Sequence, residues 1–273
     1  MSFRYAICNE VFQGWPIERV IPFVREVGYQ GLEIAPFTLA EDATTLTADR
    51  RREIGRLAAD AGLEIIGLHW LLVSPKGLHI TTADAAVRRR TTEFLRGLVD
   101  LCADLGGTVM VFGSPGARNL PEGMPYGEGW RHAGECFAGI LDKLAERGVT
   151  LALEPLSGAE TNIFRTTHEA WHMVRQLSHP RFKLHLDVKA MCAEGRPLPE
   201  IISQHIPDAA HFHANDPNRR GPGFGDVDFV PIFAALRKVG YGGWVSVEPF
   251  DYSPDPETVA RGSLENMRRA AGA

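Results

Sequence analysis

The chain alternates from end to end between short apolar, β-branched runs and longer stretches with helical periodicity. The apolar runs predict eight strands, at Phe3–Cys8, Gly31–Ala35, Glu64–His69, Thr108–Phe112, Thr150–Glu154, Lys183–Asp187, Ala209–His213 and Trp244–Glu248. The stretches that follow them predict eight helices, near 16–28, 48–61, 82–105, 130–147, 167–177, 198–205, 228–239 and 255–271. Strict alternation favours a parallel sheet, and a count of eight favours its closure into a barrel. The sequence therefore predicts an α/β fold, a single parallel (β/α)8 TIM barrel over residues 1–273.

Glycine and threonine mark the expected ends of the helices. Five glycines stand just after a helical stretch and just before a strand, where a left-handed residue ends a helix: Gly28, Gly62, Gly106, Gly148 and Gly240. Three threonines precede helical stretches and are expected to cap them, namely Thr47, Thr81 and Thr166. The segment after the first strand, 9–14, lacks the GxGxxG pattern of a dinucleotide-binding fold, so no nucleotide cofactor is expected.

Composition restricts the classes of partner. The 273 residues carry a formal net charge of −5, the opposite of the basic balance that polyanion binding requires, so no nucleic acid is expected. No apolar run approaches the roughly 18 residues of a membrane span, and no signal peptide is recognised, so a cytoplasmic protein is expected. The cysteines lie far apart and are expected to be reduced thiols: Cys8, Cys102, Cys136 and Cys192. A small-molecule substrate is the expected partner.

The last four predicted strands each end on an acid or a histidine. These residues are Glu154, Asp187, His213 and Glu248, and each is separated from the next by about one strand–helix unit. Because the carboxyl ends of parallel strands meet at one rim of a barrel, the four side chains are expected to converge there. Two unusually long segments, 113–129 and 214–226, follow strands and are expected to lie on the same functional face.

Carboxylates held this close together repel one another, and a divalent cation relieves the repulsion. Three carboxylates and one imidazole form a mostly hard ligand set, which favours Mn²⁺, with Mg²⁺ or Co²⁺ as alternatives. His185, His211 and Ser246 lie one layer lower on the same strands. They are either satisfied polar groups of the core or partners that orient the ligands, and the sequence leaves both interpretations open.

Several motifs resemble those of a known family over essentially the full chain. They are Glu154-Pro155-Leu156, Glu160-Thr161-Asn162, Leu186-Asp187, His213 followed six residues later by Arg219, and Glu248-Pro249-Phe250. With them the chain resembles the sugar phosphate isomerase/epimerase superfamily of xylose-isomerase-like TIM barrels. The D-tagatose/ketose 3-epimerases and the hydroxypyruvate isomerases are the most similar branch.

The resemblance implies a metal-dependent isomerase or epimerase that acts on a sugar or keto-acid by proton transfer next to a carbonyl, through a cis-enediolate. It implies metal ligation by Glu154, Asp187, His213 and Glu248, and acid/base roles for the two glutamates. It also implies that Glu160 and Arg219 contact substrate hydroxyls and that Phe250 walls the pocket. A homodimer or homotetramer is the assembly that the resemblance implies.

One position departs from the ketose epimerases. They place a substrate-binding histidine three residues after the strand-six aspartate, where this chain has Ala190, preceded by Lys189. His69, at the end of the third predicted strand, is a candidate to bind the substrate instead. Lys189 and Arg118 are interpreted either as contacts for an anionic substrate or as solvated charges.

Three other functions stay open at this stage. A lyase that acts on a keto-sugar or keto-glycoside would use the same metal and the same enediolate. An apurinic-site endonuclease would need further histidine ligands and a basic surface, which the acidic balance disfavours. A barrel that only binds a ligand would need neither acid/base group.

Overall fold

In the computed structural model, which describes residues 3–272, eight parallel strands pair in chain order and close into one barrel. The strands are β1 Arg4–Cys8, β2 Gly31–Ile34, β3 Glu64–Leu68, β4 Val109–Phe112, β5 Thr150–Leu153, β6 Phe182–Asp187, β7 Ala209–Ala214 and β8 Trp244–Val247. The helices are α1 Ile17–Val27, α2 Ala48–Asp60, α3 Ala85–Asp104, α4 Tyr126–Ala138, α5 Leu141–Arg147, α6 Thr167–Leu177, α7 Val188–Cys192, α8 Leu198–His205, α9 Val230–Lys238 and α10 Pro256–Ala270. The single-domain (β/α)8 barrel predicted from the hydrophobic pattern is confirmed.

The helices differ from the prediction in two places. The single helix predicted near 130–147 is wrong, because the chain breaks at Gly139 into α4 and α5; glycine weakens a helix, and here it allows close packing on Thr92 of α3. The short helix α7 directly after β6 has no counterpart in the prediction. None of the helices between residues 3 and 272 is long and apolar enough to cross a bilayer.

The predicted helix ends are largely confirmed. All five glycines named above have positive φ, and the hydroxyls of Thr47 and Thr166 accept N–H groups of the first turns of α2 and α6. The cap predicted at Thr81 is wrong, because α3 begins later, after Asp84, whose carboxylate accepts the N–H groups of Ala86 and Val87. The Thr81 hydroxyl instead donates to the carbonyl of Arg118, 3.1 Å away, and joins two loops.

The interior of the barrel changes from apolar to polar along its axis. At the amino-terminal end, Ala6, Ile66 and Trp244 form a small apolar cluster separate from the main core. The main core lies between the strands and the surrounding helices. Toward the carboxyl ends of the strands the interior fills with buried carboxylates and imidazoles, and that end carries the candidate site. The four cysteines are free thiols, three of them buried.

Candidate active site

The side chains of Glu154, Asp187, His213 and Glu248 meet at the carboxyl-terminal rim of the barrel. Ligand atoms of Glu154, Asp187 and His213 lie within 4.8 Å of one another, and Oε2 of Glu248 lies 3.0 Å from Nδ1 of His213. None of the four is more than 5% exposed. The fold therefore brings together the four residues whose convergence the strand spacing predicts.

His185 joins this group from the layer below. A ring nitrogen of His185 lies within the same 4.8 Å cluster as Glu154, Asp187 and His213. Neither of its nitrogens has a hydrogen-bond partner among residues 3–272, and burial lowers its pKa well below 6.5, which keeps the ring neutral. A buried, unpartnered, neutral imidazole is costly unless it binds something. Its position two residues before Asp187 on one strand was the sequence signal for this placement.

A chain of alternating carboxylates and imidazoles crosses the top of the barrel. In order, its members are Glu10, His69, Glu248, His213, Glu33 and His211. The successive nitrogen–oxygen distances are 2.8, 3.1, 3.0, 3.1 and 2.9 Å. None of the six residues is more than 2% exposed. Each interior member is held on both sides, so the carboxylate of Glu248 and the ring of His213 have fixed orientations.

The charges within this chain compensate one another. Burial alone would raise the pKa of Glu248, but His213 and His69 lower it to about 2. Burial would also raise the pKa of Glu33, which His211 and His213 hold well below 4.5. Burial would lower the pKa of His213 and of His69, but the carboxylates raise that of His213 well above 6.5 and that of His69 to about 10. In the metal-free protein two carboxylates thus pair with two imidazolium rings, and a metal bound to His213 would have to displace a ring proton.

Glu154 and Asp187 are the acids left without such compensation. Burial, together with the carboxylates of Glu248 and Asp187, raises the pKa of Glu154 well above 4.5. Burial and Glu248 raise the pKa of Asp187 to about 6. Two protons, or one divalent cation in their place, would neutralise this pair. The excess charge, the carboxylate and imidazole donors and the unpartnered His185 together fit a divalent metal.

Metal affinity is expected to fall steeply as the pH is lowered. A metal must displace the protons that its ligands hold, and the pKa values of Asp187, Glu154 and His213 are all raised. Below about pH 6 the apparent Kd for Mn²⁺ should therefore rise by about ten-fold or more for each pH unit. Calorimetric titrations in buffers of different ionisation enthalpy would measure the affinity and the protons released. An affinity that does not change between pH 5 and 7 would contradict this assignment.

Three residues near the predicted substrate position lie together on one side of the cavity that holds Glu154 and Glu248. The Nζ atom of Lys189 donates to Oε1 of Glu160 at 2.6 Å and lies 5.2 Å from the centre of the Phe250 ring. Glu160 and Phe250 both line the cavity. Lys189 is therefore ion-paired, and it lies beside the place where Ala190 lacks the expected histidine.

Arg219 and His69 lie outside the lining of this cavity. The side chain of Arg219 is exposed, and its carbonyl accepts the N–H groups of Phe250 and Asp251 at 2.7 and 2.8 Å. His69 is fully buried, with its two nitrogens facing Glu10 and Glu248. Neither residue lines the cavity, so their contact with substrate stays a prediction.

Arg118 is neither solvated nor exposed to an anionic substrate, so both interpretations of it were wrong. It is fully buried and donates to the carbonyls of Glu154 and Phe164 and to the hydroxyl of Thr161. Burial of the charge lowers its pKa to about 10. Arg118 thus fastens the loop after β4 to the end of β5, where Glu154 lies.

Four further residues at the site escaped the sequence analysis. Asn215 donates to Asp187 at 2.6 Å and accepts the N–H of Lys189 at 2.9 Å, and Nε1 of Trp70 donates to Glu248 at 3.0 Å. Glu10 and Glu33 belong to the chain of alternating charges. The sequence signal for Glu33 was a single acid within the apolar second strand. The signal for Asn215 was its position two residues after His213.

Comparison with known proteins shows which family the chain is similar to. Residues 21–270 match the family described as the xylose isomerase-like TIM barrel. The L-ribulose 3-epimerase of Mesorhizobium japonicum is 29% identical over 251 residues, which cover 90% of this chain and 79% of that protein. The D-psicose 3-epimerase of Agrobacterium fabrum is 27% identical over 235 residues, which cover 83% and 77%.

The fold is also similar to that of solved structures. A crystal structure of D-psicose 3-epimerase in the presence of D-fructose matches with a TM-score of 0.85 and 22% identity, over 99% of this chain and 100% of that one. At that identity the likeness concerns the fold. Together with the family match over most of the chain, it leads to one conclusion: the protein belongs to the xylose isomerase-like TIM barrel family.

Proposed function

We propose that the protein is a divalent-metal-dependent sugar epimerase that moves a proton on the carbon next to a carbonyl. The observation that carries this proposal is the pair of buried carboxylates, Glu154 and Glu248, which line one cavity from strands β5 and β8. A carboxylate within reach of a substrate C–H serves as base, and its conjugate acid returns the proton. The names of the relatives, L-ribulose and D-psicose 3-epimerase, support a ketose as the substrate class.

The metal would be held by Glu154, Asp187, His213 and Glu248, with His185 as a fifth candidate ligand. A divalent ion there, Mn²⁺ by the hardness of the donors, would polarise the carbonyl and lower the pKa of the neighbouring C–H. The substrate would pass through a cis-enediolate. Glu154 and Glu248 would act on the two faces of the same carbon, one as base and the other as acid.

Neighbouring residues would hold the two acid/base groups in position. His69 and Trp70 both contact Oε1 of Glu248, at 3.1 and 3.0 Å. A side chain at Gly113 would collide with the carboxylate of Glu154, so glycine at this position leaves room for that carboxylate. Glu160, Arg219 and Phe250 are proposed to contact the substrate, and a homodimer or homotetramer in the cytoplasm stays a prediction.

Proton NMR in D₂O would test the proposed reaction. With Mn²⁺ bound, D-fructose or L-ribulose should give its C3 epimer with deuterium at C3, and treatment with EDTA should stop the reaction. A smaller or unsaturated product would instead indicate the lyase alternative, which the absence of an imidazole at Ala190 keeps relevant. Bound metal without exchange on any keto-sugar would contradict the enzyme assignment and favour a ligand-binding barrel.

A further inference from the structure

The cavity at the site extends well beyond the two acid/base carboxylates. Its volume is about 380 Å³, and it runs from Glu154 and Glu248 outward between two loops, 70–78 and 113–117. This volume falls within the range of pockets that hold drug-sized ligands, roughly 300–1,000 Å³. A free monosaccharide is smaller than such ligands, so it would fill only the part of the cavity that lies next to the carboxylates.

The two loops give the cavity an apolar wall. The two loops contribute Leu72, Val73, Pro75, Leu78, Pro115 and Ala117, a set that we call the apolar wall. The lining also contains Ser114, but its hydroxyl already accepts the N–H of Leu72. Lys76, which belongs to the loop 70–78, is an exposed residue. The carboxylates that could meet sugar hydroxyls, those of Glu154, Glu160 and Glu248, are the remaining charged groups of the lining.

Hydrogen bonds at the ends of the two loops hold the apolar wall in place. The N–H of Ile80 donates to the carbonyl of Ala117 at 2.9 Å. The hydroxyl of Thr81 donates to the carbonyl of Arg118 at 3.1 Å. Arg118 in turn donates to the carbonyl of Glu154 at 2.6 Å. The wall is thus connected rigidly to an acid/base residue, which suits a preformed binding surface that is continuous with the reaction centre.

We propose that the substrate is a keto-sugar bearing an apolar substituent, an alkyl or aryl group that packs on the apolar wall. This inference rests on the proposed function, because it places the sugar part between Glu154 and Glu248. Sugar hydroxyls against the apolar wall would lose hydrogen bonds to water without gaining others. An apolar group there loses none and removes apolar surface from water on both sides.

The test compares ethers of one ketose that differ only in the substituent. D-Fructose, its 1-O-methyl and 6-O-methyl ethers, and the matching benzyl ethers are assayed with the Mn²⁺-loaded protein by solvent deuterium exchange, and their binding is measured by calorimetry. At one of the two positions, the benzyl ether should have a kcat/KM and an affinity at least about ten-fold higher than those of the methyl ether at the same position. Equal values for both pairs would overturn the proposal. Tight benzyl ether binding without exchange would uphold the apolar subsite while contradicting the epimerase function.

Two variants test whether the apolar wall causes the preference for the benzyl ether. Val73→Asp places a charge on the apolar wall and should reduce the benzyl-to-methyl ratio to near one. Val230→Asp is the matched control, since Val230 is an exposed valine, 56% accessible, on α9 away from the cavity; it should keep the wild-type ratio. An unchanged ratio in Val73→Asp, accompanied by a change of oligomeric state in light scattering, would overturn the proposal in favour of a second copy covering the wall.

Discussion

Replacement of Glu154 by Gln is expected to lower kcat by roughly 10²–10⁴-fold at saturating Mn²⁺, the usual contribution of a positioned acid or base. Gln keeps the shape of the side chain and one oxygen that can face a cation, but it cannot take up a proton. Since Glu154 lies within 4.8 Å of Asp187 and His213 and is a proposed metal ligand, its replacement is also expected to weaken metal binding. The metal content of the variant must therefore be measured alongside its turnover, with D-fructose and D-psicose as substrates in D₂O.

The companion variant Glu248→Gln distinguishes an acid/base role from a purely ligating one. If the two glutamates act on opposite faces, each variant should still exchange the C3 proton of one epimer, and the retained epimer should differ between the two variants. Loss of metal alone would slow exchange of both epimers equally. Glu146→Gln, a change at an exposed glutamate on α5, is the control and should match the wild type. Full turnover by metal-loaded Glu154→Gln would refute the proton-transfer role.

The fold and the four rim residues could be predicted because their signals are periodic. Strands of a parallel barrel recur once per strand–helix unit, so an acid or histidine that ends consecutive strands stands out at regular spacing. Glu154, Asp187, His213 and Glu248 are such residues, and neighbouring strands bring their side chains together without any distant part of the chain. Local pattern is sufficient for this part of the site.

The supporting residues depend on contacts that no local pattern reveals. Glu33 on β2 reaches His211 on β7 across the interior, and Glu10 after β1 reaches His69 after β3. These contacts depend on which side chains face one another across the closed barrel. The spacing of residues along the chain does not specify that arrangement. Arg118 was misread for the same reason: a charge in a polar loop predicts exposure, whereas the fold buries it against the carbonyl of Glu154.

Glu33 is expected to be one of the main electrostatic supports of the site. It is fully buried and contacts both His211 and His213, at 2.9 and 3.1 Å. Removing one partner of a buried ion pair leaves the other charge buried without compensation. For metal-free protein near pH 6, Glu33→Gln should therefore lower the free energy of unfolding by about 3 kcal/mol, measured by urea denaturation in EDTA.

The pH dependence of this loss identifies its electrostatic origin. The pKa of Glu33 is held well below 4.5, so its contribution is present above pH 4.5 and disappears as the pH falls below that value. The pKa of His213 is raised well above 6.5, so its contribution is complete below pH 6.5 and declines as the pH rises through the raised value. The difference in unfolding free energy between wild type and Glu33→Gln should therefore be largest between pH 4.5 and 6.5. Glu64→Gln, at a glutamate side chain that is 69% exposed on β3, should stay within about 0.5 kcal/mol of the wild type. A loss for Glu33→Gln that is small, or equal at every pH, would mean that packing rather than ion pairing supports the imidazoles.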